Sequence, residues 1–235
     1  MALYFILNLA SLSIPLAYSF EKKMRFIQWW KEVFLSILMV AIFFIVWDII
    51  FTKNGVWGFN ESYLVGLNIF GLPIEECLFF ICIPYASIFI HYAFQHFFPN
   101  ISLSLKTSNV FTILLINLLV LIALTNYNKV YTFYNYIFLV ALLLYSLLTK
   151  NKQLPIFYLT FLIILIPFFL VNGVLTGSFI EEPVVWYDNS ENLGIRLGTI
   201  PIEDIGYAFT MLFGSIVLIE KFKKMNLFSN RKSMS

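Results

Sequence analysis

Two short stretches, GLPIEECLFF at residues 71–80 and TIPIEDIGYA at residues 199–208, decide the fold of this 235-residue chain. Each carries Pro-Ile-Glu followed by a second carboxylate, and each continues as an apolar run. A run of about 20 mostly apolar residues crosses the hydrocarbon core of a bilayer as a helix. The two stretches therefore predict membrane-spanning helices with adjacent acids at their first turns.

The composition of the whole chain supports this interpretation. Hydrophobic residues make up 60% of the sequence, charged residues 12%, and the mean hydropathy is +0.86, whereas soluble domains are about 25% charged. Seven segments are apolar enough to span a bilayer and leave no room for a soluble domain: 2–20, 33–51, 73–91, 110–125, 131–148, 155–172 and 201–219. We therefore predict an all-α, polytopic membrane protein with seven transmembrane helices. The first segment lacks the charge pattern and the cleavage site of a signal peptide, so it is predicted to be a retained helix.

The distribution of Lys and Arg predicts the orientation. Twelve of the fifteen lie in the connections 21–32, 99–109 and 149–154 and in the tail after residue 219, and three lie in the other connections. Because cationic loops remain in the cytoplasm, we predict a multi-pass protein of the cell membrane with an external amino terminus and a cytoplasmic carboxyl terminus. The net charge of +2 then reflects topology, and no nucleic-acid partner is expected.

The two acidic stretches belong to a longer internal repeat. WGFNESYLVGLNIFGLPIEE (57–76) aligns with WYDNSENLGIRLGTIPIED (186–204) if one residue is skipped, and VWDIIFT (46–52) aligns with LVNGVLT (170–176). One further span lies between the copies, so both copies run in the same direction and the repeat is parallel. We predict a first repeat of three helices, a linking helix, a second repeat of three helices and a basic cytoplasmic tail, at 1–105, 106–130, 131–220 and 221–235.

The paired acids have a structural and a chemical interpretation. Pro73 and Pro201 fit a first helical turn, and a carboxylate beside them is stabilised by the helix dipole by about 0.3–1 kcal/mol. Capping needs only one acid, however, and an ionisable group at membrane depth costs about 2.5–3.5 kcal/mol, so such groups usually face a cavity. Neighbouring helical positions differ by about 100°, so we expect one acid of each pair to cap or brace and the other to face the cavity. We favour Glu76 and Asp204 as the cavity-facing acids.

The surroundings of these acids suggest a reaction. A carboxyl group shielded from water can remain protonated and act as a general acid, with a second carboxylate as the base. Aromatic residues make up 19% of the chain, and an aromatic face stabilises a nearby cation such as a protonated alkene. Most of these rings pack against lipid or other helices, but Phe79, Phe80 and Tyr207 follow the acids by about one turn. The pattern indicates a proton-initiated rearrangement of a polyene.

At these residues the sequence resembles the integral-membrane, non-flavin lycopene cyclases, which occur as two small subunits or as one fused chain. The resemblance covers about residues 1–220 and is carried by FIVWDIIFTKNGVWGFN (44–60), GLPIEECLFF and NLGIRLGTIPIEDIGYAF (192–209). It implies a lycopene β-cyclase, an intramolecular-lyase-type isomerase of carotenoid biosynthesis. Such an enzyme closes the open ψ-ends of lycopene to β-rings, giving γ-carotene and β-carotene without net redox change.

The resemblance also implies site residues and partners. The motif acids become candidate catalytic residues together with Asp48, whose counterpart in the second half is Asn172. These acids are Glu75, Glu76, Glu203 and Asp204. The candidate substrate contacts are Phe79, Phe80, Tyr207, Trp57, Trp186 and Arg196, and Arg196 is also a candidate to pair with a motif acid. The implied partners are lycopene or a related carotenoid, the lipid bilayer and other enzymes of the carotenoid pathway.

Several alternatives are weaker. The chain has no Gly-x-Gly-x-x-Gly motif for a flavin, and His91 and His96 lack a set of metal-ligand partners, so we predict neither a cofactor nor a metal. A retinal protein would need a lysine in the last span, which has none. A seven-helix transporter, the remote alternative, would place its acids at broken helices in mid-membrane. Within the family, a cyclase for C50 carotenoids or for ε- or γ-type rings remains open.

Overall fold

The computed structural model describes residues 2–232, which form seven α-helices. These are α1 (Leu3–Tyr18), α2 (Trp30–Lys53), α3 (Ile74–Phe97), α4 (Leu105–Thr125), α5 (Val130–Leu148), α6 (Leu154–Leu175) and α7 (Glu203–Lys232). Six of the seven, α2 to α7, are long and apolar enough to cross a membrane. The prediction of a helical, multi-pass membrane protein is therefore confirmed.

The two ends of the chain differ from the predicted segments. Helix α1 has 16 residues, about 24 Å at 1.5 Å per residue, and is shorter than the other six, so seven full spans are not established. Helix α7 continues past the predicted end of its span at residue 219 to Lys232. Much of the predicted tail 221–235 is thus helical, and residues 233–235 lie outside the described range.

Short β-ribbons connect the helices. Strand β2 (Asn68–Ile69) pairs with β3 (Leu72–Pro73), and strand β5 (Arg196–Leu197) pairs with β6 (Ile200–Pro201). The prediction that Pro73 and Pro201 occupy a first helical turn was wrong, because each proline ends a hairpin just before its helix. Both hairpin turns contain residues with positive φ, which tight two-residue turns require.

A third ribbon joins the two halves of the chain. Strand β1 (Trp57–Phe59) pairs antiparallel with β4 (Val185–Tyr187), and Gly58 lies opposite Trp186. A Cβ atom at position 58 would lie 2.3 Å from the Trp186 ring, so a larger residue there would displace this ring from the ribbon. The loops that precede the two acid-bearing helices are thereby held together.

The acid-bearing helices α3 and α7 lie at the centre of the bundle. Helix α1 packs along α3 and α5 packs along α7, while α2 contacts both central helices. Helix α6 packs chiefly on α3, and α4 lies against α5. This arrangement brings the amino-terminal ends of α3 and α7 close to the ribbon formed by β1 and β4.

Candidate active site

A cavity of about 430 Å³ lies among α1, α3, α6 and α7, beside the ribbon formed by β1 and β4. Its lining is mainly apolar. Glu76 on α3 and Asp204 on α7 both line it, although they are 128 positions apart in the sequence. Both are buried, with 9% and 7% of their surface exposed. One acid from each half therefore reaches the same apolar space.

Two tyrosines hold Asp204. The Tyr131 hydroxyl donates to Oδ1, and the Tyr187 hydroxyl donates to Oδ2 at 2.9 Å. Burial, reinforced by the negative charge of the Asp204 carboxylate, raises the pKa of Tyr187 well above its usual value, so its hydroxyl remains a donor. Both oxygens of Asp204 are consequently held as hydrogen-bond acceptors.

Glu76 has a different environment. The Tyr4 hydroxyl, on α1, donates to Oε2 at 2.5 Å. Within residues 2–232, no hydrogen bond reaches the other oxygen, Oε1. Because the side chain lines the cavity, one oxygen of Glu76 is fixed and the other is available to a bound molecule.

The other two motif acids do not line the cavity, and both are fully buried. Glu75 Oε1 accepts a hydrogen bond from the Val65 amide at 2.5 Å. Glu203 Oε1 accepts from the Leu193 amide at 2.8 Å and from the Thr132 hydroxyl at 2.6 Å. These amide groups lie ten residues before each acid, in the preceding loop. Glu75 and Glu203 therefore brace the loops, and the expected alternative of capping the first helical N–H groups does not describe their contacts.

Asp48 lies one side chain away from the cavity. It is 1% exposed and accepts hydrogen bonds from the Trp57 indole N–H and from the Thr52 hydroxyl at 3.2 Å. Trp57 lines the cavity, but Asp48 does not. Asn172, the residue aligned with Asp48 in the second half, lines the cavity instead. The two halves thus contribute different groups at these positions.

The structure separates the candidate substrate contacts into two groups. Trp57, Phe79 and Tyr207 line the cavity. The remaining three do not, and they are Phe80, Trp186 and Arg196.

Each of these three has another role. Phe80 packs in the core with 1% of its surface exposed, and Trp186 is 44% exposed. The Arg196 guanidinium donates to the Thr199 carbonyl at 2.6 Å and to the Asn189 side chain at 2.8 Å. Arg196 is therefore a residue of the loop, and among the described residues no hydrogen bond or ion pair joins it to a motif acid.

Sequence reasoning missed the polar residues of α1 and α5. The amide of Asn8 donates to the Glu75 carbonyl at 2.8 Å, and the amide of Asn135 donates to the Glu203 carbonyl at 2.5 Å. Each asparagine lies one helical turn after a tyrosine that binds the neighbouring acid. The signal was a shared Tyr-x-x-x-Asn spacing, YFILN from Tyr4 and YTFYN from Tyr131, in helices that the repeat alignment did not compare.

Aromatic rings occupy the space between α2 and α5. Phe138 contacts Phe43 and Trp47, with ring centroids 5.2 and 4.9 Å apart. Tyr207 contacts Phe44 on the same side, at 4.7 Å. Tyr207 also lines the cavity, so its ring joins this aromatic cluster to the cavity wall.

The arrangement is suited to proton transfer in an apolar environment. Lys, Arg and His are absent from the cavity lining within the described part of the chain, and Glu76 and Asp204 are its only carboxyl groups. A bound molecule would meet apolar and aromatic side chains along its length and two acids at one end. One acid can deliver a proton there while the other removes one.

Comparison with known proteins gives a match to a family. A family profile described as Lycopene cyclase matches residues 1–94 and 128–222. The matched segments contain both acidic motifs and leave out α4. No curated protein and no solved structure matches the chain.

Proposed function

The chain belongs to the lycopene cyclase family, whose enzymes cyclise carotenoids, and on that premise we propose that it is a lycopene β-cyclase. It converts the open ψ-ends of lycopene to β-rings by proton-initiated, non-redox cyclisation. The observation that supports this reaction best is the convergence of Glu76 and Asp204 at one end of an apolar cavity. Such a cavity suits a hydrocarbon chain, and two acids suit a reaction that adds one proton and removes another.

The contacts of the two acids suggest their roles. Glu76, with Oε1 free of hydrogen bonds to the described residues, donates a proton to the terminal double bond of the bound polyene. The resulting tertiary cation is attacked by a neighbouring double bond, which closes the ring and moves the positive charge onto it. Loss of a ring proton to Asp204, whose oxygens both accept hydrogen bonds, forms the ring alkene. One proton enters and one leaves, so the elemental formula does not change.

The aromatic lining supports the cationic step. Trp57, Phe79 and Tyr207 line the same cavity as the two acids. A cation over an aromatic face is stabilised by about 0.5–2 kcal/mol, with the larger values at sites removed from water. These rings also exclude water, which would otherwise trap the cation as an alcohol.

Pigment analysis tests the proposed reaction directly. Cells that make lycopene should accumulate γ-carotene and β-carotene when this chain is expressed. In deuterated water each new ring should contain about one deuterium, because an acid that exchanges with solvent supplies the added proton. Rings that form only with a consumed flavin or nicotinamide reductant would refute the mechanism. Products with ε-rings, or activity confined to C50 carotenoids, would assign the chain to another ring type or substrate length.

We also propose that the amino terminus is external and the carboxyl terminus cytoplasmic. The support is the excess of Lys and Arg in one set of connections. A reporter that works only in the cytoplasm should be active when it is fused after Ser235. Activity from a reporter that works only outside the cytoplasm would reverse the orientation.

A duplicated origin of the two halves is a further proposal. Its support is the recurrence of the same contacts, because in each half an asparagine donates to the backbone of the first acid and a tyrosine donates to the second. Loop amides also bind the first acid of each pair, from Val65 in one half and from Leu193 in the other. The halves are nevertheless not equivalent in chemistry, because Glu76 and Asp204 have different partners.

A further inference from the structure

We infer that the carotenoid enters the cavity sideways from the hydrocarbon core of the bilayer, through an opening between α1 and α6. This inference rests on the proposed function and names the route by which its substrate reaches the acids. The opening, called the lateral mouth below, is formed by Ala10 and Ile14 of α1 and by Pro167 and Leu170 of α6.

Exposure of the lining residues locates the lateral mouth. Of the described residues that line the cavity, these four alone are exposed. Ile14 is 68% exposed and Leu170 is 67% exposed. All four side chains are apolar, and they come from two helices that face each other across the cavity. An apolar rim on a membrane protein is suited to lipid tails and to a polyene dissolved among them.

The other residues of the lining are buried or half-buried. At the end next to the acids, Trp57 and Val185 of the ribbon are only 6% and 9% exposed. Further along the cavity, Ile164 and Leu212 are each 2% exposed. A path from the water phase through the loops would also require the polyene to leave the bilayer, against the hydrophobic effect.

The lateral mouth lies at membrane depth. Ala10 and Ile14 are seven and eleven residues from the start of α1, or about 10 and 16 Å along its axis. Pro167 and Leu170 are eight and five residues from the end of α6, or about 12 and 8 Å. A hydrocarbon core of about 30 Å places these residues among lipid tails whichever way the protein faces.

Both walls of the lateral mouth contain a helix-interior proline. Pro15 interrupts α1 next to Ile14, and Pro167 interrupts α6. Proline removes one hydrogen bond of the helix and favours a bend. The walls are therefore weakened at the depth where a substrate would have to pass between them.

Binding kinetics test the lateral mouth separately from catalysis. A Glu76→Gln protein in liposomes should bind lycopene without cyclising it. Lycopene is achiral, so an induced circular dichroism in the visible range reports its binding in a chiral cavity. Adding Ala10→Phe to this protein should slow the appearance of the signal at least tenfold. Leu9→Phe is the matched control, because Leu9 is exposed on α1 but does not line the cavity, and it should leave the rate unchanged.

A second pair of variants covers the other wall. Leu170→Phe should also slow binding, whereas Ile166→Phe, at a position 64% exposed outside the lining, should not. If one mouth variant fails to fold, the other decides the outcome. The inference would be overturned if every folded variant of the lateral mouth bound lycopene as fast as the Glu76→Gln protein. Equal slowing in the variants of the lateral mouth and in the control variants would also overturn it. An absence of induced signal in the Glu76→Gln parent would instead count against lycopene as the substrate.

Discussion

Replacing Glu76 with glutamine tests proton delivery while preserving the shape of the site. The side chain keeps its length, and the Tyr4 hydroxyl can still donate to the amide oxygen in place of Oε2. Glutamine cannot deliver a proton to an alkene. Glu75→Gln is the matched control, because Glu75 is the preceding residue of the same helix, has the same type of side chain and is buried outside the cavity lining.

The two substitutions should differ in their effect on the cyclisation rate. Loss of a general acid typically slows a reaction by 10²- to 10⁴-fold, or about 3–5 kcal/mol of transition-state stabilisation. Because a proton donor is neutral before the reaction, Glu76→Gln replaces one neutral acceptor of the Tyr4 hydroxyl with another, which should change stability by no more than about 1 kcal/mol. In Glu75→Gln the new amide N–H₂ occupies the position of Oε2, which has no hydrogen-bond partner among the described residues. Because Oε2 already lacks a partner in the wild-type protein, this replacement should change stability by no more than about 1 kcal/mol.

The assay compares rate and stability in the same preparation. Cyclisation is measured by pigment extraction from liposomes and divided by the amount of folded protein, and stability is measured by thermal unfolding in detergent. We expect Glu76→Gln to lose at least a hundredfold in rate with a small shift in Tm, and Glu75→Gln to keep most of its rate per folded molecule. Equal loss of rate per folded molecule in both variants, or a loss of Glu76→Gln activity that only follows its abundance, would refute the assignment of Glu76 as the proton donor.

Three other changes probe the site and its frame. Tyr131→Phe removes one of the two hydroxyl groups that donate to Asp204. A hydrogen bond to a charged group contributes about 1.5–3 kcal/mol, so the cyclisation rate should fall by about tenfold or more. An unchanged rate would exclude a role for this contact. Gly58→Ala places a methyl group against Trp186 and should lower stability by about 1–3 kcal/mol, measured as a reduced Tm. Residues 1–105 alone should be inactive because the cavity takes one acid from each half, whereas co-expression with residues 106–235 should restore some cyclisation in pigment extracts. Full activity of either fragment alone would contradict a shared cavity.

The sequence by itself determined the class of the protein and its family. Apolar runs of about 20 residues have few soluble alternatives, so hydropathy alone located the helices that cross the membrane. The family followed from the two motifs, because Pro-Ile-Glu with a second acid recurs with its preceding loop. The profile match over both halves confirms that resemblance.

Local patterns were less reliable at the ends of elements. Pro73 and Pro201 were predicted in first helical turns, because proline is well tolerated there. Instead, each proline is the last residue of a hairpin that comes just before the helix. One turn residue, Phe70, has a positive φ, a backbone conformation that a residue with a bulky side chain rarely adopts. Sequence reasoning could not foresee that a phenylalanine would adopt this conformation.

Only the tertiary structure decided which acid of each pair reaches the cavity. The 100° step between neighbouring helical positions requires Glu75 and Glu76 to point differently, but the direction of the cavity depends on how α1 and α6 pack around α3. The partners that fix the two cavity acids are also distant in sequence, since Tyr4 is 72 positions from Glu76 and Tyr131 is 73 positions from Asp204. Periodicity within a helix carries no information about such contacts, because they depend on the registers of separate helices. Hydropathy located the helices, and the packing between them determined where two acids meet in an apolar space.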